Sequence, residues 1–406
     1  MFNKSFALAL ATVLSLLSAC GSNNKNGLSN LDGHFESSSA AALNKATGGQ
    51  RATAEWEPSR GVILSAPLIT SFNKTQMAAA IADSGIDKLW ILVPSNFRGT
   101  VETSPSFAGL RQALGSNLSK VELIRQQLTG SLTVWSRDWA PQGALTASGD
   151  LRLLDFNYFP GRDADDYTGQ SMEHVLNFPR VSVPIYNEGG NFMTTTDGNC
   201  LMTSRVTDGN GTKERADDIV MDAEGVKSYY EGAAGCKTVN ILPRMPYEGT
   251  GHIDMWAKFL DNKTVIVNEL RDEDLSLYTN AQALARAKVI KKYFDARAAD
   301  IKALGYTVIR IPVPGAIFQN GQEVYRSYTN SLAVNGNIIV PRYVAPNTPD
   351  VAADNGLYFD QSLLPKYEEE VRSVYEKAGY KFTWVVSDDL IYVGGAVHCT
   401  TMQVPR

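Results

Sequence analysis

The side chains that usually announce a chemistry are scarce in this 406-residue chain, which holds four histidines and four cysteines. Neither Cys-x-x-Cys nor His-Glu-x-x-His occurs, so the common zinc signatures are missing. There is no Gly-rich phosphate loop ending in Gly-Lys-Ser/Thr. The pairs Gly189-Gly190 and Gly394-Gly395 are too short for a dinucleotide fingerprint. They suit tight turns or close approach of backbone to a ligand. Basic residues are not in excess either. Lys and Arg number 38 against 43 Asp and Glu, a net charge of -5, which removes the electrostatic case for nucleic acid and suits a cationic small molecule or peptide. No apolar run reaches the roughly 20 residues that a membrane-crossing helix needs. What remains, 44% hydrophobic and 20% charged, is an ordinary globular composition long enough for a large core.

The amino-terminal stretch is leader rather than fold. Lys4 precedes an apolar run from Phe6 to Leu17, the shape of a secretory signal. Leu17-Ser18-Ala19-Cys20 resembles a bacterial lipobox, which makes Cys20 the expected lipid attachment site and predicts an exported protein anchored to the cell envelope. Gly21 after the cysteine favours the outer membrane. Residues 1–19 are thus read as signal, residues 20–54 as a flexible tether rich in Ser, Asn, Gly and Ala, and residues 55–406 as one globular domain. In an oxidising compartment the three remaining cysteines leave one thiol over. Cys200 and Cys236 either pair or stay as buried thiols; the sequence does not choose.

Along the domain, helical and strand periods alternate. The spacing predicts a helix over 77–85 and a strand over 89–93, a helix over 285–304 and a strand over 307–311, and a helix over 366–378 and a strand over 381–386. Between such units lie five short polar segments: Val134–Pro141, Asn187–Asn191, Gly251–Asp254, Tyr328–Ser331 and Gly394–Cys399. Five units with one polar tip each suggest radial repetition about a shared site. A doubly wound sheet with loops at one edge would look the same.

Of the histidines, His34 lies in the tether and His174 in a segment with no other polar cluster, which leaves His252 and His398. His252 and Asp254, read as strand residues, point to one face. Cys399 is the candidate nucleophile, and it needs a cation or base nearby. His398 is next to it in a presumed strand and so points away, which makes His252 the expected base. Asp138 stands between Trp135 and Trp139, whose ring faces suit planar cations. Asp138 and Asp254 could grip a guanidinium through charge-assisted hydrogen bonds. Zinc on His252, Asp254, His398 and Cys399 is the rival use of the same atoms.

Six ordered segments resemble one family. They are Ala54-Glu55-Trp56-Glu57-Pro58, Trp135-Ser136-Arg137-Asp138, Glu188-Gly189-Gly190-Asn191, Gly251-His252-Ile253-Asp254, Tyr328-Thr329-Asn330-Ser331-Leu332 and Gly394 through Cys399. The family comprises the bacterial-type peptidylarginine deiminases and the agmatine deiminases. The resemblance implies a five-bladed α/β propeller, the pentein fold, and a cofactor-free, metal-free hydrolysis of a guanidinium group. It implies Cys399 as nucleophile, His252 as general acid and base, Asp138 and Asp254 as the carboxylates on the guanidinium, and Asn330 as an active-site amide. It also implies Trp135 along the substrate's aliphatic stem, and Glu188 and Asn191 beside the substrate. Arg162 matches one of two arginines that hold a substrate carboxylate, and the second is missing from that segment. The expected substrate is arginine in peptides or proteins, converted to citrulline. Agmatine is the alternative, and a binding lipoprotein without turnover or an amidine transferase are the rivals from other classes.

Overall fold

The structure is a computed structural model that describes residues 49–212, 219–278, 280–319, 322–344 and 363–406. The leader, Cys20 and His34 lie outside the described residues. Five sheets repeat one pattern: a first strand runs antiparallel to a second, which runs parallel to a third. Gln142–Leu145, Leu151–Asn157 and Arg180–Tyr186 form one such sheet. Met193–Thr194, Asn199–Thr203 and Thr238–Leu242 form the next. Ala257–Phe259, Thr264–Glu269 and Thr307–Pro312 follow, then Leu332–Val334, Asn337–Arg342 and Lys381–Val386. The fifth joins the two ends of the domain. Met402–Pro405 pairs antiparallel with Ser59–Ser65, which runs parallel to Lys88–Val93 and on to Val121–Arg125.

Parallel neighbours need a crossover, and a helix supplies it in each unit. The helices are Thr75–Ala82, Thr168–Leu176, Ala223–Ala233, Ala281–Ala303 and Leu363–Lys377. The middle strands carry the buried branched residues this layering demands, such as Val62, Ile63 and Leu64 or Val265, Ile266 and Val267. The helix Ala281–Ala303 starts where the Asn280 side chain accepts from the Gln282 and Ala283 amides, and it gives way to Gly305 at φ +98. The expected helix from 366 begins earlier, at Leu363, because Pro365 sits within its first turn, where a missing N–H costs nothing. This is the five-bladed α/β propeller. The doubly wound alternative is set aside, since no described sheet has more than four strands.

The repeat explains the five polar segments. Each one enters the first strand of a sheet: Val134–Pro141 precedes Gln142, Asn187–Asn191 precedes Met193, Gly251–Asp254 precedes Ala257, Tyr328–Ser331 precedes Leu332, and Gly394–Cys399 precedes Met402. They occupy equivalent positions in five units.

Two expectations change. The end of the tether is part of the fold: Arg51–Ala52 pairs with Gln142–Leu145, the Ala52 amide bonds the Ala234 carbonyl at 2.7 Å, and Gln50, Ala52 and Ala54 are buried. The open cysteine question closes as a disulfide between Cys200 and Cys236, 36 residues apart, which leaves Cys399 as the free thiol among the described cysteines.

Candidate active site

Cys399 is buried, in a turn rather than a strand. Asn330 shapes that turn. Its Oδ1 accepts from the Ala396 amide at 3.0 Å and the Cys399 amide at 3.3 Å, and its Nδ2 donates to Cys399 Sγ at 3.0 Å. Asn330 is fully buried, so this clamp is built once and held. Arg137 ties the next unit in. Its amide donates to the Cys399 carbonyl at 3.1 Å and its Nε to the His398 carbonyl at 3.4 Å. The Trp135–Asp138 segment is therefore no surface Arg-Asp turn. Arg137 points inward, and Asp138 is left facing the other way, its Oδ1 accepting from the Gly190 amide at 2.9 Å.

His252 and Asp254 do not lie on a strand. His252 is extended and Ile253–Met255 is a single 3-10 turn, with the Thr329 hydroxyl donating to the Asp254 carbonyl at 3.0 Å. The turn arises because the chain must reverse into Ala257–Phe259, and it still directs both side chains inward, each 1% exposed. Asp254 Oδ2 lies 3.4 Å from Cys399 Sγ. His252 Nε2 is 3.2 Å from Glu188 Oε2 and Nδ1 is 3.7 Å from Asp138 Oδ1, yet neither ring nitrogen has hydrogen-bond geometry to a partner.

Gly190 shows how closely these groups converge. A methyl group built there would lie 2.7 Å from His252 Nδ1, 2.9 Å from Asp254 Oδ2 and 3.0 Å from Asp138 Oδ1. On Gly395 it would meet Cys399 Sγ at 2.8 Å and the Trp135 ring at 2.7 Å. Two bare backbone stretches thus leave space where a thiol, an imidazole, two carboxylates and an indole meet. Buried polar atoms are normally satisfied, but His252 Nδ1 and Nε2 and Asp254 Oδ1 are not. The Asp254 and Asp138 carboxylates beside this space are acceptors suited to the N–H edges of a flat cation, with the thiol close by.

The electrostatics agree. Burial works against the His252 cation, but Asp138, Glu188 and Asp254 outweigh it and raise its pKa to about 10. Burial, reinforced by Glu188 and Asp254, pushes Asp138 above the usual carboxylate range despite His252 beside it. Burial and then the Asp254 and Asp138 carboxylates push the Cys399 thiol well up. The site thus gathers carboxylates, a thiol and a protonated imidazole in one buried cluster.

Of the expected substrate contacts, Asn191 is engaged by the sheet and Glu188 stands beside His252. Asn191 spends its amide on Thr203: Oδ1 accepts from its N and Oγ1 at 3.0 and 2.9 Å, and Nδ2 donates to its carbonyl at 3.3 Å. It pins the glycine turn to the buried end of the strand Asn199–Thr203. Glu188 backs His252 and is held at 2.7 Å by Arg205 Nε. Arg162 is half-buried, with its guanidinium 3.2 Å from the Tyr158 hydroxyl and over the Phe159 ring at 5.6 Å. Arg205 stacks over the same Phe159 ring at 5.7 Å. Sequence reading missed Arg205, which nothing in its own segment marks, and His398, whose Nδ1 is 2.8 Å from Asp254 Oδ2. Among the described residues no three His, Cys, Asp or Glu side chains are arranged to hold a metal ion.

A five-bladed α/β propeller with a buried cysteine, histidine and two aspartates around a cation slot defines a hydrolase of C–N bonds in linear amidines. The chain belongs to the Porphyromonas-type peptidyl-arginine deiminase family, whose family model matches residues 51–405. A Shewanella baltica protein named "Putative agmatine deiminase" is 25% identical over 362 residues, covering 80% of this chain and 85% of that one. The solved agmatine deiminase of Enterococcus faecalis superposes with a TM-score of 0.65 at 17% identity, covering 89% of this chain and 97% of that one. The Campylobacter (C. jejuni) agmatine deiminase gives 0.63 at 17% identity, covering 88% and 96%. These structures share the fold.

Proposed function

We propose that the protein deiminates arginine in peptides or proteins, releasing ammonia and leaving citrulline. The observation that carries the reaction is the convergence of His252, Asp138 and Asp254 about Gly190, with Cys399 Sγ 3.4 Å from Asp254. Asp138 and Asp254 take the guanidinium edges and fix its plane against Cys399 Sγ. The arriving cation adds positive charge beside the thiol, which favours its ionised form. Cys399 gives its proton up to bulk water, and the thiolate faces the His252 imidazolium. Sulfur attacks the guanidinium carbon, and His252 protonates the departing ammonia. The thiouronium left on Cys399 is hydrolysed by water that gives its proton to His252, and the C–S bond breaks to yield the ureido group and free Cys399. Trp135 lies along the substrate's stem.

The choice of arginine rests on Arg162, whose guanidinium lies over the Phe159 ring and bonds the Tyr158 hydroxyl. A guanidinium in reach of the substrate's far end would attract a carboxylate and repel the terminal ammonium of agmatine. The names of the relatives favour agmatine as the second reading. Comparing kcat/KM for agmatine, free arginine and peptides with terminal or internal Arg decides between them. An agmatine preference above tenfold sinks the first reading. Absence of turnover on every guanidino compound leaves the binding lipoprotein.

The same proposal includes export and a lipid anchor at Cys20. Its supports are the Leu17–Cys20 pattern and the Cys200–Cys236 bond, which suits an oxidising compartment. Radiolabelled palmitate on the wild-type chain and none on Cys20→Ala is the expected result; equal labelling refutes it.

A further inference from the structure

We infer that His398 is a positioning residue for Asp254, an inference that rests on the guanidinium slot described above. Asp254 has two oxygens with opposite surroundings. Oδ2 is 2.8 Å from His398 Nδ1 and 3.4 Å from Cys399 Sγ, whereas Oδ1 is buried with no partner. A carboxylate held by one oxygen against an imidazole N–H cannot turn, so the plane of Asp254 beside the thiol is fixed before the substrate binds. His398 is itself held. Its amide donates to the Asn330 carbonyl at 3.0 Å, and its Nε2 lies 3.4 Å from Glu55 Oε2. Glu55 in turn takes Lys258 Nζ at 2.6 Å and the Ala333 amide at 2.7 Å. Lys258, Glu55, His398 and Asp254 make a chain ending at the thiol, buried except at Glu55. Each member fixes the next, and it draws on the Ala54–Pro58 segment, whose place near the site otherwise has no chemical role.

Isosteric replacement separates the two ring nitrogens. Asn places an amide N–H where Nδ1 stands and keeps the bond to Asp254. Gln reaches towards Glu55 and loses it. The probes are chloroacetamidine, whose amidinium presents the N–H edge of a guanidinium, and chloroacetamide, which alkylates the same sulfur without that charge. The wild type should react with the amidine faster by tenfold or more, about the effect of one charge-assisted hydrogen bond. That ratio should stay within about threefold in His398→Asn and fall about tenfold in His398→Gln, a loss of the same one bond, while the chloroacetamide rate changes little in either. Equal ratios in both variants overturn the positioning role and leave the slot intact. No amidine preference in the wild type removes the slot and this inference together. Nitrogen-15 spectra of histidine-labelled wild type give a reading free of folding effects. Nδ1 of His398 must carry its proton, and a bare Nδ1 overturns the inference.

Discussion

Gly190→Ala is the sharpest perturbation of the site, because it adds one methyl group and no charge. The backbone at Gly190 is outside the left-handed region, so alanine meets no conformational obstacle there. The obstacle is space. The new carbon would sit 2.7 to 3.0 Å from His252 Nδ1, Asp254 Oδ2 and Asp138 Oδ1, closer than real side-chain carbons come to their neighbours. His252 and Asp254 are each 1% exposed and cannot swing into solvent to make room. Overpacking of this kind costs about 1–3 kcal/mol of stability, modest for a domain of this size. Catalysis suffers more. A displacement of about 1 Å in a positioning group lowers rate by about 10²-fold, or about 2.7 kcal/mol in the barrier. With three groups displaced and the slot narrowed, kcat/KM should fall by about 10²-fold or more while the protein still melts cooperatively a few degrees lower. Ureido product and ammonia release measure the first, and thermal denaturation the second. A folded Gly190→Ala enzyme with near-wild-type kcat/KM would refute the convergence of these groups on one slot.

The pH profile follows from the same carboxylates. His252 must hold a proton, so kcat/KM should fall as pH rises past about 10, with an acid limb above the ordinary carboxylate range where Asp138 gains a proton. For stability, the raised His252 pKa adds its contribution fully below about 6.5, its ordinary value, and loses it as pH climbs through about 10. A flat profile between pH 6 and pH 11 contradicts this. Arg162→Gln should raise KM for peptides ending in Arg by about tenfold or more and leave agmatine unchanged or improved; equal effects on both substrates would show that Arg162 meets no carboxylate. Replacing Cys200 and Cys236 by Ser opens a 36-residue loop and should cost about 3–4 kcal/mol in denaturant titrations without lowering kcat/KM of the folded protein. A change under about 0.5 kcal/mol would show that the bond constrains little.

The parts of the fold legible in sequence were those written locally. Helix, glycine and strand in 281–311 and 363–386 follow from apolar period and turn residues, which act within a few positions. What sequence could not show is long-range pairing. The bond between Met402–Pro405 and Ser59–Ser65 closes the ring across almost the whole domain, and no local pattern marks either strand as its partner. The site divides the same way. Cys399, His252, Asp138, Asp254 and Asn330 sit in motifs dense enough to single out. Strand alternation points His398 away from the thiol, but 396–401 is a turn wrapped on Asn330, and a turn does not alternate. Arg205 is equally silent in sequence, since its position beside Phe159 depends on packing between two units.

The central claim is a covalent bond between Cys399 and the substrate's guanidinium carbon, and intact-mass measurement during rapid quench with an arginyl peptide tests it directly. The account predicts a transient adduct equal to the peptide less ammonia, mapped to Cys399 and absent in Cys399→Ala, which should also lose turnover. An adduct of the amidino group alone would identify a transferase. Sustained citrulline formation with no adduct, or in Cys399→Ala, would contradict the account.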